Sequence, residues 1–276
     1  MKNRKGTHVR GANDGAFNAC RAIFMLVGIV LSPHAFGQIQ TASPAQNTLT
    51  PGERADGWTL LFDGKTLDGW RGAYLDSLPS RGWEVRDGMI VVQASGGGEA
   101  TFGGDIVTRE EYSDFDLRLE FKLTEGANSG IKYFVTEQQP RTPGSAKGLE
   151  FQILDDTNHP DAKLGIEGNR ALASLYDLMP AKNKNTRPIG EWNEARILVR
   201  DKLVEHWLNG TKVLEYTRGG KVFLAHKAKS KFKDLEQFGE AERGHLLLQD
   251  HGNTVYFRNI KIRVFRAGPW MESDHE

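Results

Sequence analysis

From Trp58 to Phe265 the chain is a succession of short β-rich runs separated by turn residues, with little room between them for helices. The runs are WTLLFDG, GWEVRDGMIVVQ, GGDIVTR, FDLRLEFKL, SGIKYFVTE, GLEFQILDD, ARILVRDKLVEHWLNGTKVLEYT, HLLLQDHG and VYFRNIKIRVF. Many strands at short spacing restrict the fold to an antiparallel sandwich or barrel. Two turns are explicit. Asp87-Gly88 and Asn209-Gly210 each separate two β-rich halves, and such pairs supply the left-handed backbone that a tight hairpin requires. The one long stretch outside the pattern is residues 221–243, where Val222, Leu224 and Ala225, then Phe232 and Leu235, fall roughly at helical spacing. It predicts one or two short surface helices, with its charge run as a solvated face.

Alternation along each strand sorts side chains onto two faces. In FDLRLEFKL the apolar face is Phe115, Leu117, Leu119, Phe121 and Leu123, and the other carries Asp116, Arg118, Glu120 and Lys122. In SGIKYFV, Ile131, Tyr133 and Val135 are expected in the core, with Lys132 and Phe134 opposite. In HLLLQDH, Leu246 and Leu248 are expected inside, with Leu247, Gln249 and His251 opposite. GLEFQILDD puts Phe151, Ile153 and Asp155 on one face and Glu150, Gln152, Leu154 and Asp156 on the other. A polar strand face is usually wet, but it can also line a groove for a polar ligand.

The N-terminus reads as an export signal rather than a domain. Lys2, Arg4, Lys5 and Arg10 precede the apolar run AIFMLVGIVL (22–31), and SPHAFG (32–37) supplies small residues suited to cleavage. That run is far short of the ~20 residues of a spanning helix, which leaves cleavage as the expectation and an uncleaved anchor as the alternative. Residues 38–57 are polar, with two prolines, and read as a linker to a domain at 58–266; residues 267–276 read as a tail. The expected location is the bacterial periplasm or the outside of the cell, with no membrane attachment after cleavage.

The single cysteine, Cys20, lies inside the signal, so the mature chain has no disulfide, no Cys nucleophile and no Cys-type zinc site. Loss of residues 1–37 leaves 31 basic and 35 acidic residues, a net charge of −4. A mildly acidic chain lacks the concentrated positive charge that nucleic-acid binding needs, and none is expected.

Taken in order, GWTLLFDGKTLDGWRG, FDLRLEFK, GANSGIKYFV, LEFQILDD with HPDAK, SLYDLMP, IGEWNEARI, VEHWLNG, SKFKDLEQFG, LLLQDHG and VYFRNIKIRVF resemble the 3-keto-disaccharide hydrolase family. The family is also described as 3-keto-glucoside 1,2-lyase/3-keto-2-hydroxyglucal hydratase. The resemblance implies an all-β, concanavalin-like jelly roll of two antiparallel sheets with a sugar-binding face. It implies exported bacterial enzymes whose substrates are oxidised (3-keto) glucosides or disaccharides.

Oxidation at C3 makes the C2 proton acidic. A base can remove it, the enolate can expel the C1 substituent, and water can add to the resulting glycal, which amounts to net hydrolysis. Such a route needs a base near C2 and a cation or donor near the C3 oxygen. Glu150 is the expected base, and its alternative is a solvated strand carboxylate or hydroxyl acceptor. Lys132 is the expected enolate stabiliser, or an ion-pair partner of Glu150 across neighbouring strands. His251 is a proton shuttle or a structural residue. Gln152, Gln249, Asp156 and Tyr176 are expected to bind substrate. Asn128 and Ser129 read as turn formers, Asp177 as a residue able to face the cleft, and Trp192 as either a cleft residue or a core aromatic.

No cofactor is expected. LDDTNHPD offers Asp155, Asp156, His159 and Asp161 at a spacing that matches no ligand motif, so these read as turn residues around Pro160 rather than a metal site. Two other functions stay open: a non-catalytic carbohydrate-binding module, and a glycosidase of the glucanase type. The second wants an E-x-D-x-x-E pattern, whereas here Glu150 is followed by Gln152.

Overall fold

The computed structural model describes residues 45–96, 98–138 and 144–265. The expected export signal at 1–37 and the expected tail at 267–276 lie outside the described residues. The strands are β1 (Trp58–Leu60), β2 (Trp70–Gly72), β3 (Trp83–Arg86), β4 (Met89–Val92), β5 (Ile106–Tyr112), β6 (Phe115–Leu123) and β7 (Asn128–Val135). They continue as β8 (Leu149–Leu154), β9 (Trp192–Arg200), β10 (Leu203–Leu208), β11 (Thr211–Thr217), β12 (Gly244–Leu248) and β13 (Val255–Val264). Two short helices accompany them, α1 (Pro51–Ala55) and α2 (Lys221–Lys227).

The strands form two antiparallel sheets, the jelly-roll sandwich expected from the sequence. The larger runs β11-β10-β9-β6-β13-β4-β3, with β1 also on β13, and the smaller runs β2-β5-β12-β7-β8. Asp87-Gly88 turns β3 into β4 and Asn209-Gly210 turns β10 into β11, all four residues having positive φ, as two-residue hairpins require. Phe115, Leu117, Phe121 and Phe257 of the large sheet meet Ile131, Tyr133, Phe151 and Leu248 of the small one in a common core. Each such side chain contributes roughly 1.5–3 kcal/mol of burial free energy, offset by the entropy of ordering it.

Alternation fails at one informative place. Phe134 has φ 55, and Leu246 of β12 faces both Tyr133 and Phe134 of β7, which is a β-bulge. Tyr133 and Phe134 both enter the main core, and Val135 is turned out to pack with Val107, Ala146 and Leu247. The expected positions of Phe134 and Val135 are therefore exchanged, while Lys132 keeps the outer face.

Two other readings change. From residue 45 on, the polar segment before the domain is docked: Asn47 and Asn259 exchange backbone-to-side-chain hydrogen bonds at 2.6 and 2.8 Å, and Thr50 and Glu53 form a capping box on α1. In α2 it is Phe223 that is buried, whereas Val222 and Leu224 face solvent, because the helix is a short one packed on β11 rather than a longer amphipathic one.

A buried polar chain ties the sandwich to the loop beside β8. His206 Nδ1 lies 2.9 Å from Ala173 O, which fixes it as the donor and leaves Nε2 to accept from Tyr133 Oη at 2.7 Å. Tyr216 Oη completes the chain 2.6 Å from Tyr133 Oη. Burial holds the His206 imidazole down to about 4, so it is neutral. Residues 173–176 then run along β8 through Ala173 N–H to Gln152 O (2.8 Å), Gln152 N–H to Ser174 O (3.1 Å) and Tyr176 N–H to Glu150 O (3.0 Å).

Candidate active site

β7 and β8 pair so that Lys132 lies opposite Glu150 and Gly130 opposite Gln152. The outward-facing side chains line a small polar cleft on the outer face of the small sheet. Lys132, Glu150, Gln152, Tyr176, Gln249 and His251 all line it. Asp156 does not. β8 ends at Leu154, so alternation no longer governs the residue; its Oδ1 accepts from Leu172 N–H at 2.7 Å and its Oδ2 pairs with Lys184. Its role is to hold the 172 and 184 loops together.

Glu150 is 6 % exposed and its carboxylate leans across Gly130, a lean that only the missing side chain permits. A Cβ at residue 130 would stand 2.0 Å from Glu150 Oε1. Burial raises the Glu150 carboxyl, Lys132 and Lys231 pull it back, and Glu99 and Asp105 push it up again, to about 7. With its amide turned to face its acceptors, Gln152 donates to Glu150 Oε1 at 3.3 Å and to Ser129 O at 3.0 Å.

Lys132 is buried, and its nearest carboxylates are not Glu150. Its Nζ lies 3.2 Å from Asp105 Oδ2 and 3.6 Å from Glu99 Oε1, and donates to Ala146 O at 3.2 Å. The expected direct pair across the strands does not form, because Glu150 leans diagonally toward Gly130. Burial alone would lower the Lys132 ammonium, but Asp105, Glu150 and Glu99 hold it above its ordinary value, so it stays charged.

Asn128 and Ser129 are strand residues of β7 rather than turn formers: Asn128 lines the cleft, and Ser129 Oγ donates to Gln249 O at 2.8 Å. Asn128 Oδ1 and Gln249 Oε1 are buried and meet no donor among the described residues. Such orphaned acceptors carry a desolvation cost of roughly 1–3 kcal/mol each, which a ligand's hydroxyls would relieve.

Tyr176 forms a wall, its hydroxyl donating to Asp161 Oδ2 at 2.8 Å and its ring lying 4.2 Å from Lys231 Nζ. His251 stands edge-on to His159, ring centroids 5.8 Å apart, and burial together with His251 lowers the His159 imidazole. Asp155 accepts from Gly126, Thr157 and Asn158, and Asp161 pairs with Arg170 at 3.0 Å, so these carboxylates close loops. Asp177 is occupied by Arg170 at 2.6 Å and by Lys231 N–H at 2.7 Å. Trp192 lies at the start of β9 in the large sheet, stacked with Arg258 and Lys122, away from the cleft.

Glu99 and Lys231, which line the cleft, and Asp105, buried against Lys132, escaped the strand-based reading. Glu99 and Lys231 sit in loops, and Asp105 directly precedes β5. Alternation carries no information there. A carboxylate between Gly104 and an apolar strand start was the one local sign for Asp105. Burial raises Asp105 to about 6 against the pull of Lys132, and Lys132, Ser145 and Lys147 bring Glu99 down to about 2 against its own burial.

Comparison with known proteins places this geometry. A 3-keto-disaccharide hydrolase of Bacteroides thetaiotaomicron is 41% identical over 230 residues, spanning 76% of this chain and 79% of that protein. Two crystal structures from Parabacteroides distasonis, both provisionally described as glycosyl hydrolases, share the fold. One has 35% identity and a TM-score of 0.71, covering 80% of this chain and 100% of that one. The other has 26% identity and a TM-score of 0.54, covering 75% and 99%. The profile of the 3-keto-alpha-glucoside-1,2-lyase-like domain matches residues 57–263, and the chain belongs to that family.

Proposed function

We propose that this protein cleaves 3-keto-glucosides, including 3-keto-disaccharides, by removing the C2 proton and expelling the C1 substituent, with hydration of the glycal in the same cleft. The observation that carries the reading is Glu150, a carboxyl poised near 7 on the floor of the cleft and coupled to the buried ammonium of Lys132. A base works best when its pKa lies near the operating pH. Glu150 takes the C2 proton, and Lys132 stabilises the negative charge that develops on the C3 oxygen. The charge then returns through C2, the C1–O bond breaks, and the C3 carbonyl is restored. Asn128, Gln152 and Gln249 orient sugar hydroxyls, and Tyr176 and His251 flank the ring. The 41% identity to a 3-keto-disaccharide hydrolase supports the substrate class.

The test is incubation of the purified protein with a 3-keto-disaccharide in heavy water. The expected product carries deuterium at C2. Glu150→Gln should retain ligand while turnover falls roughly 10²–10⁴-fold. Sugar released without deuterium would mark an ordinary glycosidase, and ligand bound without turnover would mark a binding module. Export belongs to the same proposal, supported by the basic start and the apolar run at 22–31. Fractionation of an expressing bacterium checks it: an uncleaved cytoplasmic chain would count against it.

A further inference from the structure

Elimination needs an acid at the departing oxygen as well as a base at C2. We propose, resting on the elimination reading above, that Lys231 is that acid, and that its amine then takes the proton of the water that adds to C1. Lys132 and Lys231 flank Glu150 from opposite sides. Lys132 is on β7, and Lys231 is fastened to the 173–179 segment on the far side of β8, through its N–H on Asp177 Oδ2 at 2.7 Å. The surroundings of the two ammonium groups differ. Lys132 is gripped by Asp105 and Glu99. Lys231 Nζ rests 4.2 Å from the Tyr176 ring centroid and 5.2 Å from that of Phe232, with no carboxylate in ion-pair contact among the described residues. Its proton is therefore free to be given to a ligand in the cleft it lines.

Burial acts in the same direction, pushing the Lys231 ammonium below its ordinary value although Glu150, Glu99 and Asp177 partly offset it. Lys147 also lines the cleft, but it is felt at Glu99, whereas Lys231 is felt at both Glu99 and Glu150. C1 is bonded to C2, so the acid must stand within reach of the carbon next to the one that Glu150 deprotonates.

The step balances without an outside reagent. Glu150 accepts the C2 proton, the C2–H electron pair becomes the C1=C2 bond, and the C1–O pair leaves on oxygen, which takes a proton from Nζ. In hydration the neutral amine takes a proton from water as its oxygen bonds to C1, and protonated Glu150 returns a proton to C2. Both residues end as they began.

The test varies the leaving group. Wild type, Lys231→Met and Lys231→Arg are assayed on 3-keto-glucosides carrying an alkyl aglycone, which needs a proton, or 4-nitrophenol, which departs as an anion. Lys231→Met should lose roughly 10²–10³-fold on the alkyl substrate and less than about tenfold on the nitrophenyl one. C2 deuterium exchange of the alkyl substrate in heavy water should persist, because the base is intact. Lys231→Arg keeps the charge but holds its protons too tightly to donate, so it should show the same selective loss and guards against a Met variant that folds poorly. Equal losses on both substrates, full activity in Lys231→Arg, or the selective pattern appearing in His251→Asn instead would each overturn the assignment. A wild type that exchanges no C2 proton and releases neither aglycone would bring down the elimination reading itself.

Discussion

Gly130→Ala isolates the placement of the proposed base from everything else in the cleft. Gly130 is a strand residue without positive φ, so an alanine there is conformationally permitted. Its Cβ would stand 2.0 Å from Glu150 Oε1, 2.8 Å from Cδ and 3.0 Å from Cγ. Ordinary contact begins near 3.4 Å, so the carboxylate must move by about 1.4 Å. A misplacement of about 1 Å at a reacting centre can lower the rate ~10²-fold, which is about 2.7 kcal/mol of barrier. Stability should change far less. Replacing a strand glycine with alanine recovers roughly 0.5–1 kcal/mol, and crowding costs ~1–3 kcal/mol where nothing can give. Here the crowded atoms end a side chain that can. The assay is kcat/KM and C2 exchange on a 3-keto-disaccharide, with denaturant unfolding alongside. A folded Gly130→Ala protein within about threefold of wild type would refute the placement of Glu150 as the base.

The remaining predictions concern charge. Glu150 must be ionised to act, so kcat/KM should rise with pH through about 7, the value to which burial raises it from 4.5. Stability runs the other way: a carboxyl with a raised folded-state pKa holds extra protons in the fold, so stability is lost as pH climbs from about 4.5 to 7. Asp105, raised from 3.8 to about 6, has the same sign. Glu99, lowered from 4.5 to about 2, has the opposite sign and withdraws stability as pH falls through that window, weakly because 40% of its side chain is exposed. His206, lowered from 6.5 to about 4, gains stability as pH rises between those values and offsets one of the two raised carboxyls. Urea unfolding across this range should therefore show greatest stability near pH 4–5 with a shallow net decline toward pH 7, and a steady rise toward pH 8 would contradict the scheme. Asp105→Asn deprives buried Lys132 of its nearest carboxylate and should destabilise toward the lower end of roughly 3–5 kcal/mol, since Glu99 remains. The same change removes a charge that raises Glu150, so the activity midpoint should move below 7; an unmoved midpoint would count against the coupling.

The sandwich was legible because β-rich runs, alternation and two positive-φ hairpins all point one way, and most of the cleft followed from the same alternation. Lys132, Glu150 and Gln152 sit where a period of two puts them. Legibility stopped where strands stop. Asp156 lies two residues beyond β8, so its expected face had no physical meaning. Phe134 and Val135 exchanged faces because a bulge inserts one residue, which alternation cannot announce. Glu99 and Lys231 reach the cleft from loops whose placement depends on tertiary contacts, such as Lys231 N–H on Asp177. The docked segment around Asn47 misled through composition: its polar groups serve a helix cap and a reciprocal pair with Asn259.

Why Glu150 and not its neighbours should be the base follows from what each carboxylate receives. Glu99, Asp105 and Glu150 surround one buried ammonium, and three negative charges about a single positive one favour retention of a proton by one of them. Asp105 takes Lys132 at 3.2 Å and Asp250 N–H at 3.0 Å, with Ala146 N–H at 3.4 Å. Glu99 takes Ser145 Oγ at 2.7 Å and Gln249 Nε2 at 3.3 Å, and it also touches solvent. Among the described residues Glu150 has only the Gln152 amide at 3.3 Å. The proton stays longest where the anion is least supported, so Glu150 releases it last, near 7, and recovers it most readily from a substrate carbon. Nothing within LEFQILDD encodes that choice; it is made by the hydrogen bonds given to Asp105 and Glu99 and withheld from Glu150.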